Sequence, residues 1–315
     1  MIDVTITRRE TQGRDIVVLD LAAADGAPLP AFEAGAHIDV EIAPGLTRQY
    51  SLCGDPAEHG RYRIGVLKDA ASRGGSAAIH DGFAQGQTVR IGAPRNLFPL
   101  DAGAPGAVLL GGGIGVTPMI AMAHALHAAG TPFTLHYFAR ELAGAAFLDE
   151  LAQLPFAAAV TLHSDAGEAT PAFDPATDLP APGSGAHVYI CGPAGFMEHM
   201  EAQARAGGFA PGAIHREFFS AAPDAQGGSF ELELARSGRT IEVAEGQTIV
   251  AALAAIGIKV DVSCEQGICG TCLCDVLEGE PDHRDSFLTG EERAEGDQMM
   301  LCCSRAKTPR LVIDL

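Results

Sequence analysis

The chain has 315 residues, 47% of them hydrophobic, enough to bury the cores of two or three domains. Its 21 basic and 40 acidic residues leave a net charge of −19, which repels nucleic acid and anionic membranes and suits a partner that offers a basic face. No apolar run reaches the ~18 to 20 residues that span a bilayer, and the opening stretch MIDVTITRRETQGRD lacks the apolar segment of a secretion signal, so a cytoplasmic protein without a membrane anchor is expected.

Over residues 1–102, short alternating runs such as DIVVLDLA, HIDVEIAPG, RQYSLCG, RYRIGVLKD and TVRIGAP are separated by Gly, Pro and Asp. A period of two predicts an antiparallel β-barrel or sandwich domain. Near its middle, SRGGSAAIH sets Gly74, Gly75 and Ser76 before a helical stretch, the composition of an anion-binding nest; taken alone it reads equally as a flexible loop.

From 103 to 222 the pattern changes to apolar runs alternating with Ala-rich helical stretches: AVLL, PMIAMAHALHAAG, FTLHYF, AAFLDELAQL, AAVTLH, HVYIC and AGFMEHMEAQARAGG. Strand then helix, repeated, predicts an α/β domain with a parallel sheet. AVLLGGGIGVTP places Gly111, Gly112, Gly113 and Gly115 between a strand and a helix, where glycines let the backbone approach a pyrophosphate and the helix start offers free N–H groups. Pro118 suits the first helical turn. YICGPAGFM is a second strand–turn–helix, with Gly192 and Pro193 in a tight turn.

Residues 168–185, rich in Pro, Asp and Gly, are expected as an exposed loop, and residues 220–228 as a linker. FELELARSGRTIEVA then predicts a hairpin turning at Ser-Gly and opens a third domain over 229–315. That domain has twice as many acidic as basic residues, and the carboxylates of EGEPDHRD and TGEERAEGD are expected on a solvated surface. His136, His163, His187 and His199 show no metal-ligand spacing and are expected to be structural.

SCEQGICGTCLCD, residues 263–275, holds four of the eight cysteines. In a reducing cytoplasm such a cluster is expected as metal ligands and not disulfides. Cys264, Cys269 and Cys272 follow the C-x4-C-x2-C spacing of plant-type 2Fe-2S sites, and Cys302 is the expected fourth ligand. Gly267 and Gly270 are expected to supply positive φ angles where the loop wraps a cluster. Zinc and free thiols are the alternatives; structural zinc usually brings two short paired knuckles, and here there is one. Cys274 and Cys303 break the spacing and are expected to be packing residues.

SCEQGICGTC, EGEPDHRDSFLT and LCCSRA resemble the chloroplast-type ferredoxin module, in the version found at the carboxyl end of the phthalate dioxygenase reductase and vanillate demethylase reductase family. The resemblance extends over the chain. RQYSL is similar to the flavin signature R-x-Y-S/T, RGGS to the family's phosphate-binding segment, and GGGIGVTP and YICGP to the two turns of its nucleotide domain. It implies three domains in order: an FMN-binding antiparallel β-barrel, an NAD-binding parallel α/β domain and a β-grasp ferredoxin domain of α+β class.

On that resemblance FMN meets Arg48, Gln49, Tyr50, Ser51, Leu52, Lys68, Gly74, Gly75 and Ser76, with Arg48 on the phosphate, Tyr50 stacked on the isoalloxazine and Ser51 near N5. Strand alternation puts residues 48 and 50 on one face and 51 on the other, so Ser51 is expected to reach round the flavin edge or to use its backbone. No adenine-binding segment argues for FAD. NADH is implied at Gly112, Gly113, Gly115, Thr117, Arg140, Cys191, Gly192 and Pro193, and Glu141 would repel the 2′-phosphate of NADPH. Ser51, Thr117, Cys191 and Phe219 are the residues expected at hydride transfer, with Phe218 as core.

The implied activity is electron transfer from NADH through FMN and the cluster to the Rieske centre of a separate aromatic-ring dioxygenase or O-demethylase. A flavin is needed because hydride carries two electrons and the cluster accepts one. The alternatives are a general NADH reductase serving a ferredoxin or cytochrome, and a redox-sensing iron-sulfur flavoprotein without turnover.

Overall fold

The computed structural model describes all residues except 45, 70–73, 168, 220–225 and 263–264. Cys264 and most of the expected linker therefore lie outside the described residues. The chain divides into two compact units, Met1–Phe219 and Ser220–Leu315.

The first unit opens with β1 (Ile2–Gln12), β2 (Ile16–Ala23), β3 (Ala36–Ala43), β4 (Leu46–Ser51), β5 (Tyr62–Leu67), α1 (Gly75–Gly82), β6 (Thr88–Ile91) and β7 (Arg95–Asn96). The strands run in the order β4-β3-β6-β1-β2-β5, all antiparallel, with β7 against β3. The two ends of this path meet: Leu52 bridges Ile64, and Cys53 N–H donates to the Arg63 carbonyl at 2.9 Å. Closure into a barrel removes the exposed edges that an open sheet would leave.

There follow β8 (Ala107–Gly112), α2 (Val116–Ala129), β9 (Phe133–Ala139), α3 (Leu148–Leu151), β10 (Val160–Ser164), α4 (Pro175–Asp178), β11 (His187–Cys191), α5 (Ala194–Ala206) and β12 (Ile214–Glu217). These strands form a parallel sheet in the order β10-β9-β8-β11-β12. One face packs on α2 through Met119 and Ile120, the other on α5 through Met197 and Met200. The order reverses between β8 and β11, so a crevice opens beyond their carboxyl ends.

Barrel and sheet share one hydrophobic core, in which Ile6, Leu19, Ile38 and Ile64 join Leu109, Ile120, Leu135 and Tyr189. A buried charge network crosses the same seam. Arg63 on β5 holds Asp20 on β2 through two bonds of 2.7 and 3.1 Å, and its remaining arm donates to Glu150 on α3 at 2.5 Å. Removing one partner would strand a charge in the core, at a cost of roughly 3–5 kcal/mol.

Most of residues 169–185 are exposed, as expected, yet the segment carries α4 and packs on the sheet at two points. Asp174 caps α4 by accepting from the Ala176 N–H at 3.0 Å, Leu179 is buried beside Met197 and Met200, and the Phe173 ring packs edge-on to His136 and Phe138. The strand histidines pair with one another: His136 with His163 at 3.0 Å and His187 with His215 at 2.9 Å.

The second unit contains β13 (Phe230–Leu234), β14 (Arg239–Val243), α6 (Ile249–Ala255), β15 (Leu273–Glu278), β16 (Pro281–Asp282), α7 (Gly290–Glu295), β17 (Gln298–Met300), β18 (Arg305–Ala306) and β19 (Arg310–Ile313). Its mixed sheet runs β14-β13-β19-β15-β17, with β13 and β19 parallel and β13–β14 the expected hairpin. Thr248 caps α6, whose Ile249 and Leu253 enter the core with Leu232, Met300 and Ile313. Arg305 is almost wholly buried and gives its guanidinium N–H groups to the carbonyls of Gly227, Gly228, Ala244 and Gln247. Carbonyl dipoles thus balance a charge that meets no carboxylate among these contacts.

Candidate active site

At the barrel edge, Arg48 pairs in register with Val40 and Tyr50 with Ile38, whereas Gln49 faces Asp39 and Ser51 faces His37. Arg48 and Tyr50 therefore share one face, and Ser51 points the other way. The Arg48 side chain lies against the start of α1: a Cβ on Gly75 would come within 2.7 Å of its Cγ. Gly74, at φ +91°, turns the chain into that helix without a side-chain cap, leaving the first N–H groups of α1 and a guanidinium at one place. That is the donor set a phosphate needs. Burial lifts the Tyr50 pKa to about 12 against the pull of Arg48, so a neutral phenol ring is presented beside it.

Several residues implied by the resemblance are engaged elsewhere. The Leu52 side chain is fully buried where the barrel closes, and Lys68 is tied to Asp81 at 2.9 Å. Gln49 donates to Asp39 at 3.2 Å on the face away from Tyr50. Ser76 accepts from the Asp69 N–H at 3.2 Å, holding the strand-side chain to the helix start.

In the crevice of the parallel sheet, the two glycine turns lie on one another. A Cβ on Gly115 would strike the Cys191 carbonyl and come within 2.7 Å of Gly192 N, and one on Gly192 would sit 3.0 Å from Gly112 Cα. Gly112 and Gly192 also lie under the Phe196 ring. These three glycines are thus demanded by protein packing. Gly113 differs: at φ +56°, it has open space where a side chain would be, and it borders a cleft that extends to Arg140, Glu141 and Arg14. Glu141 is ion-paired with Arg14, while Arg140 is exposed. Thr117 is buried, its hydroxyl bonded to the Ile114 carbonyl at 2.8 Å and its methyl against Gly65 of the barrel, so it holds the seam and does not line the cleft.

Cys191 ends β11 fully buried, and burial together with the Glu217 carboxylate raises its thiol well above the ordinary value. Beside it in register, at the end of β12, stands Glu217. The Ser51 hydroxyl donates to Glu217 Oε2 at 3.2 Å. Burial lifts the Glu217 pKa from 4.5 to about 8, partly offset by that hydrogen bond, although the residue keeps some solvent access. Sequence reasoning passed over Glu217; a carboxylate at the carboxyl end of a parallel strand was the available signal. Phe219, just beyond, exposes 37% of its surface, whereas Phe218 packs with the second face of the sheet.

In the second unit, Cys269, Cys272 and Cys302 are all buried. The Gly267 N–H donates to Cys302 Sγ at 3.2 Å, the kind of bond a thiolate ligand accepts. Both loop glycines have the expected positive φ, +73° at Gly267 and +74° at Gly270, and both are also needed for space. A Cβ on Gly270 would lie 2.5 Å from the Phe287 ring, and one on Gly267 would strike Cys303 Sγ. Among the described residues no three potential ligands converge on a single ion position, and Cys264 is not among them. All-sulfur donors with a backbone N–H aimed at one of them fit an iron-sulfur cluster. Cys274 turns into the core, with burial raising its thiol to about 11, and Cys303 packs on Gly267, as expected of both.

One expectation is overturned. Asp285 of EGEPDHRD is not on a solvated surface; its carboxylate is completely buried, accepting from the Leu288 N–H at 2.9 Å and the Ser304 hydroxyl at 3.3 Å.

Residues 232–307 match the family model for a 2Fe-2S iron-sulfur cluster binding domain. The whole chain is similar to a vanillate O-demethylase oxidoreductase of Pseudomonas sp. (strain HR199 / DSM 7063), 48% identical over 100% of both chains. It is also similar to the phthalate dioxygenase reductase of Burkholderia cepacia, 40% identical over 98% of this chain and 96% of the other. A solved phthalate dioxygenase reductase, described as a modular structure for electron transfer from pyridine nucleotides to 2Fe-2S, superposes with a TM-score of 0.76 at 39% identity, covering 100% of this chain and 98% of that one. A barrel edge with a phosphate cradle, a nucleotide crevice and a cysteine loop in one chain, aligned end to end with these relatives, make this protein an oxidoreductase of the phthalate dioxygenase reductase and vanillate O-demethylase reductase family, with FMN, NADH and a 2Fe-2S cluster as its redox groups.

Proposed function

We propose that this chain carries electrons from NADH through FMN and the cluster to the Rieske centre of a separate aromatic-ring dioxygenase or O-demethylase. The observation that carries the reading is the 3.2 Å bond between Ser51 and Glu217, which joins the barrel edge to the end of the nucleotide sheet within one packed body. When bound, FMN supplies the conversion of a two-electron hydride into single electrons. Arg48 and the start of α1 hold its phosphate, Tyr50 offers its ring, and Ser51, Cys191 and Glu217 face the nicotinamide edge. Phe219, exposed at the end of this unit, is the aromatic cover of that edge. The dinucleotide follows the cleft from Gly113 toward Arg140; the Glu141 carboxylate there is the group that would repel a 2′-phosphate, and its pairing with Arg14 weakens that repulsion.

Cys264, Cys269, Cys272 and Cys302 ligate the cluster, and the mixed sheet with α6 across it is a β-grasp. The acidic second unit steers a basic docking face on the oxygenase. No helix of the described residues is long and apolar enough to cross a membrane. The test is an anaerobic NADH titration of the purified protein, followed by reconstitution with a purified Rieske oxygenase. Flavin and iron-sulfur absorption bands that bleach together, and NADH oxidation coupled to aromatic product, are expected; a colourless protein, or one that never supports product formation, refutes the reading.

A further inference from the structure

Asp285 is the one carboxylate of the acidic second unit shown above to be wholly enclosed, and its surroundings lead directly to the cysteine loop. Its Oδ2 accepts from the Leu288 N–H, its Oδ1 from the Ser304 hydroxyl, and its own backbone carbonyl accepts from Arg293 Nη2 at 2.7 Å. Three bonds thus fix the Asp285–Ser286 backbone. That backbone lies on Gly267: the Ser286 N–H donates to the Gly267 carbonyl at 3.0 Å, and a Cβ on Gly267 would come within 2.8 Å of Asp285 Cα. Gly267 in turn gives its N–H to Cys302 Sγ.

We infer that Asp285 is a positioning residue for the cluster: its carboxylate braces the peptide against Gly267 and so keeps the Gly267 N–H on the Cys302 sulfur. Hydrogen bonds to ligand sulfurs are among the quantities that set an iron-sulfur reduction potential, and partners of metal ligands are worth about 10- to 100-fold in affinity or activity. The inference rests on Cys302 as a cluster ligand.

Asp285 acts on the potential in two opposed ways, through its negative charge and through the Gly267 bond, and two substitutions separate them. Asp285→Asn removes the charge but keeps the size and can hold both neighbours, its carbonyl accepting from the Leu288 N–H and its amide donating to the Ser304 hydroxyl oxygen; Asp285→Ala removes charge and bonds alike. The cluster potential is measured by redox titration of the full-length holoprotein, and the terminal iron–sulfur stretches by resonance Raman in H2O and D2O, where an N–H···S bond makes the stretch sensitive to deuteration. The expected result is a lower potential in Asp285→Ala than in Asp285→Asn, a several-fold shift of the electron equilibrium away from the cluster, and a smaller deuterium shift in the Ala variant alone. Arg293→Met cuts the backbone clamp but also removes the guanidinium 3.8 Å from Asp285 Oδ2, a charge that by itself affects the potential, so it is read by the deuterium shift, which should fall as in Ala; that readout decides the matter should the Ala variant fail to fold or load iron. Equal potentials and deuterium shifts in Ala and Asn, or an unaltered deuterium shift in Arg293→Met where Ala does not load, overturn the positioning role. Full iron content in Cys302→Ser overturns instead the ligand assignment beneath it.

Discussion

Ser51 and Glu217, 166 residues apart, share a hydrogen bond of 3.2 Å that closes the barrel edge onto the end of the nucleotide sheet. The bond brings a hydroxyl and a carboxyl of raised pKa to the place where the two cofactors would meet, beside a thiol kept neutral by burial. Replacing Ser51 with Ala is expected to slow flavin reduction by NADH on the order of tenfold, the worth of one hydrogen bond of about 1.5 kcal/mol, with FMN content unchanged. Stopped-flow reduction at 450 nm, about the flavin maximum, checks this; an unchanged rate removes Ser51 from the hydride step.

Glu217 should also leave its mark on stability. Its folded pKa, about 8, lies above the ordinary 4.5, so the folded chain binds an extra proton between those values. The associated stabilisation is complete below pH 4.5 and is lost as the pH rises toward 8. Glu217→Gln is never charged and escapes that loss. Thermal denaturation should therefore show the two proteins alike near pH 4.5 and the variant gaining steadily up to pH 8. Parallel profiles across that window would contradict the buried carboxyl.

The phosphate cradle predicts a loss of affinity. A hydrogen bond to a charged group contributes about 1.5–3 kcal/mol, so Arg48→Ala should weaken FMN binding by roughly tenfold to a hundredfold. Gly75→Ala should act in the same direction without touching a charge, because its Cβ displaces the Arg48 side chain. Fluorescence titration of the deflavinated protein with FMN measures both.

The two kinds of glycine in the nucleotide turns should respond differently. Gly113→Ala meets only the left-handed backbone penalty, about 1–2 kcal/mol. Gly115→Ala drives a methyl into the Cys191 carbonyl and should cost more, roughly 2–4 kcal/mol, while raising the KM for NADH as the turns part. Flavin release on heating ranks the two variants; equal effects would mean the turns do not depend on that contact.

Cys272→Ser should lower the iron content and abolish transfer to an oxygenase, yet leave flavin reduction by NADH intact. Iron analysis and single-turnover reduction separate these outcomes.

The order of domains, the cysteine spacing and the glycine turns were all legible in the chain, because each depends on contacts within a few residues: alternation along a strand, positive φ in a tight loop, a helix start after a glycine. Alternation also told that Ser51 turns away from Arg48 and Tyr50. It could not tell that Glu217 waits there, since strand period says which way a side chain points and not what lies opposite.

The same reason explains the correction at Asp285, which sits in a run of charges that reads as solvated surface yet is enclosed by segments distant in sequence. The side chains of Thr117 and Leu52, within motifs that resemble ligand contacts, are likewise buried by distant segments. What the amino-acid sequence determined by itself was the set of local geometries that can hold phosphate, dinucleotide and cluster. Which side chains those geometries leave free, and which they bury as braces, was decided by the tertiary structure, because burial and long-range hydrogen bonds exist only once the strands and turns have packed.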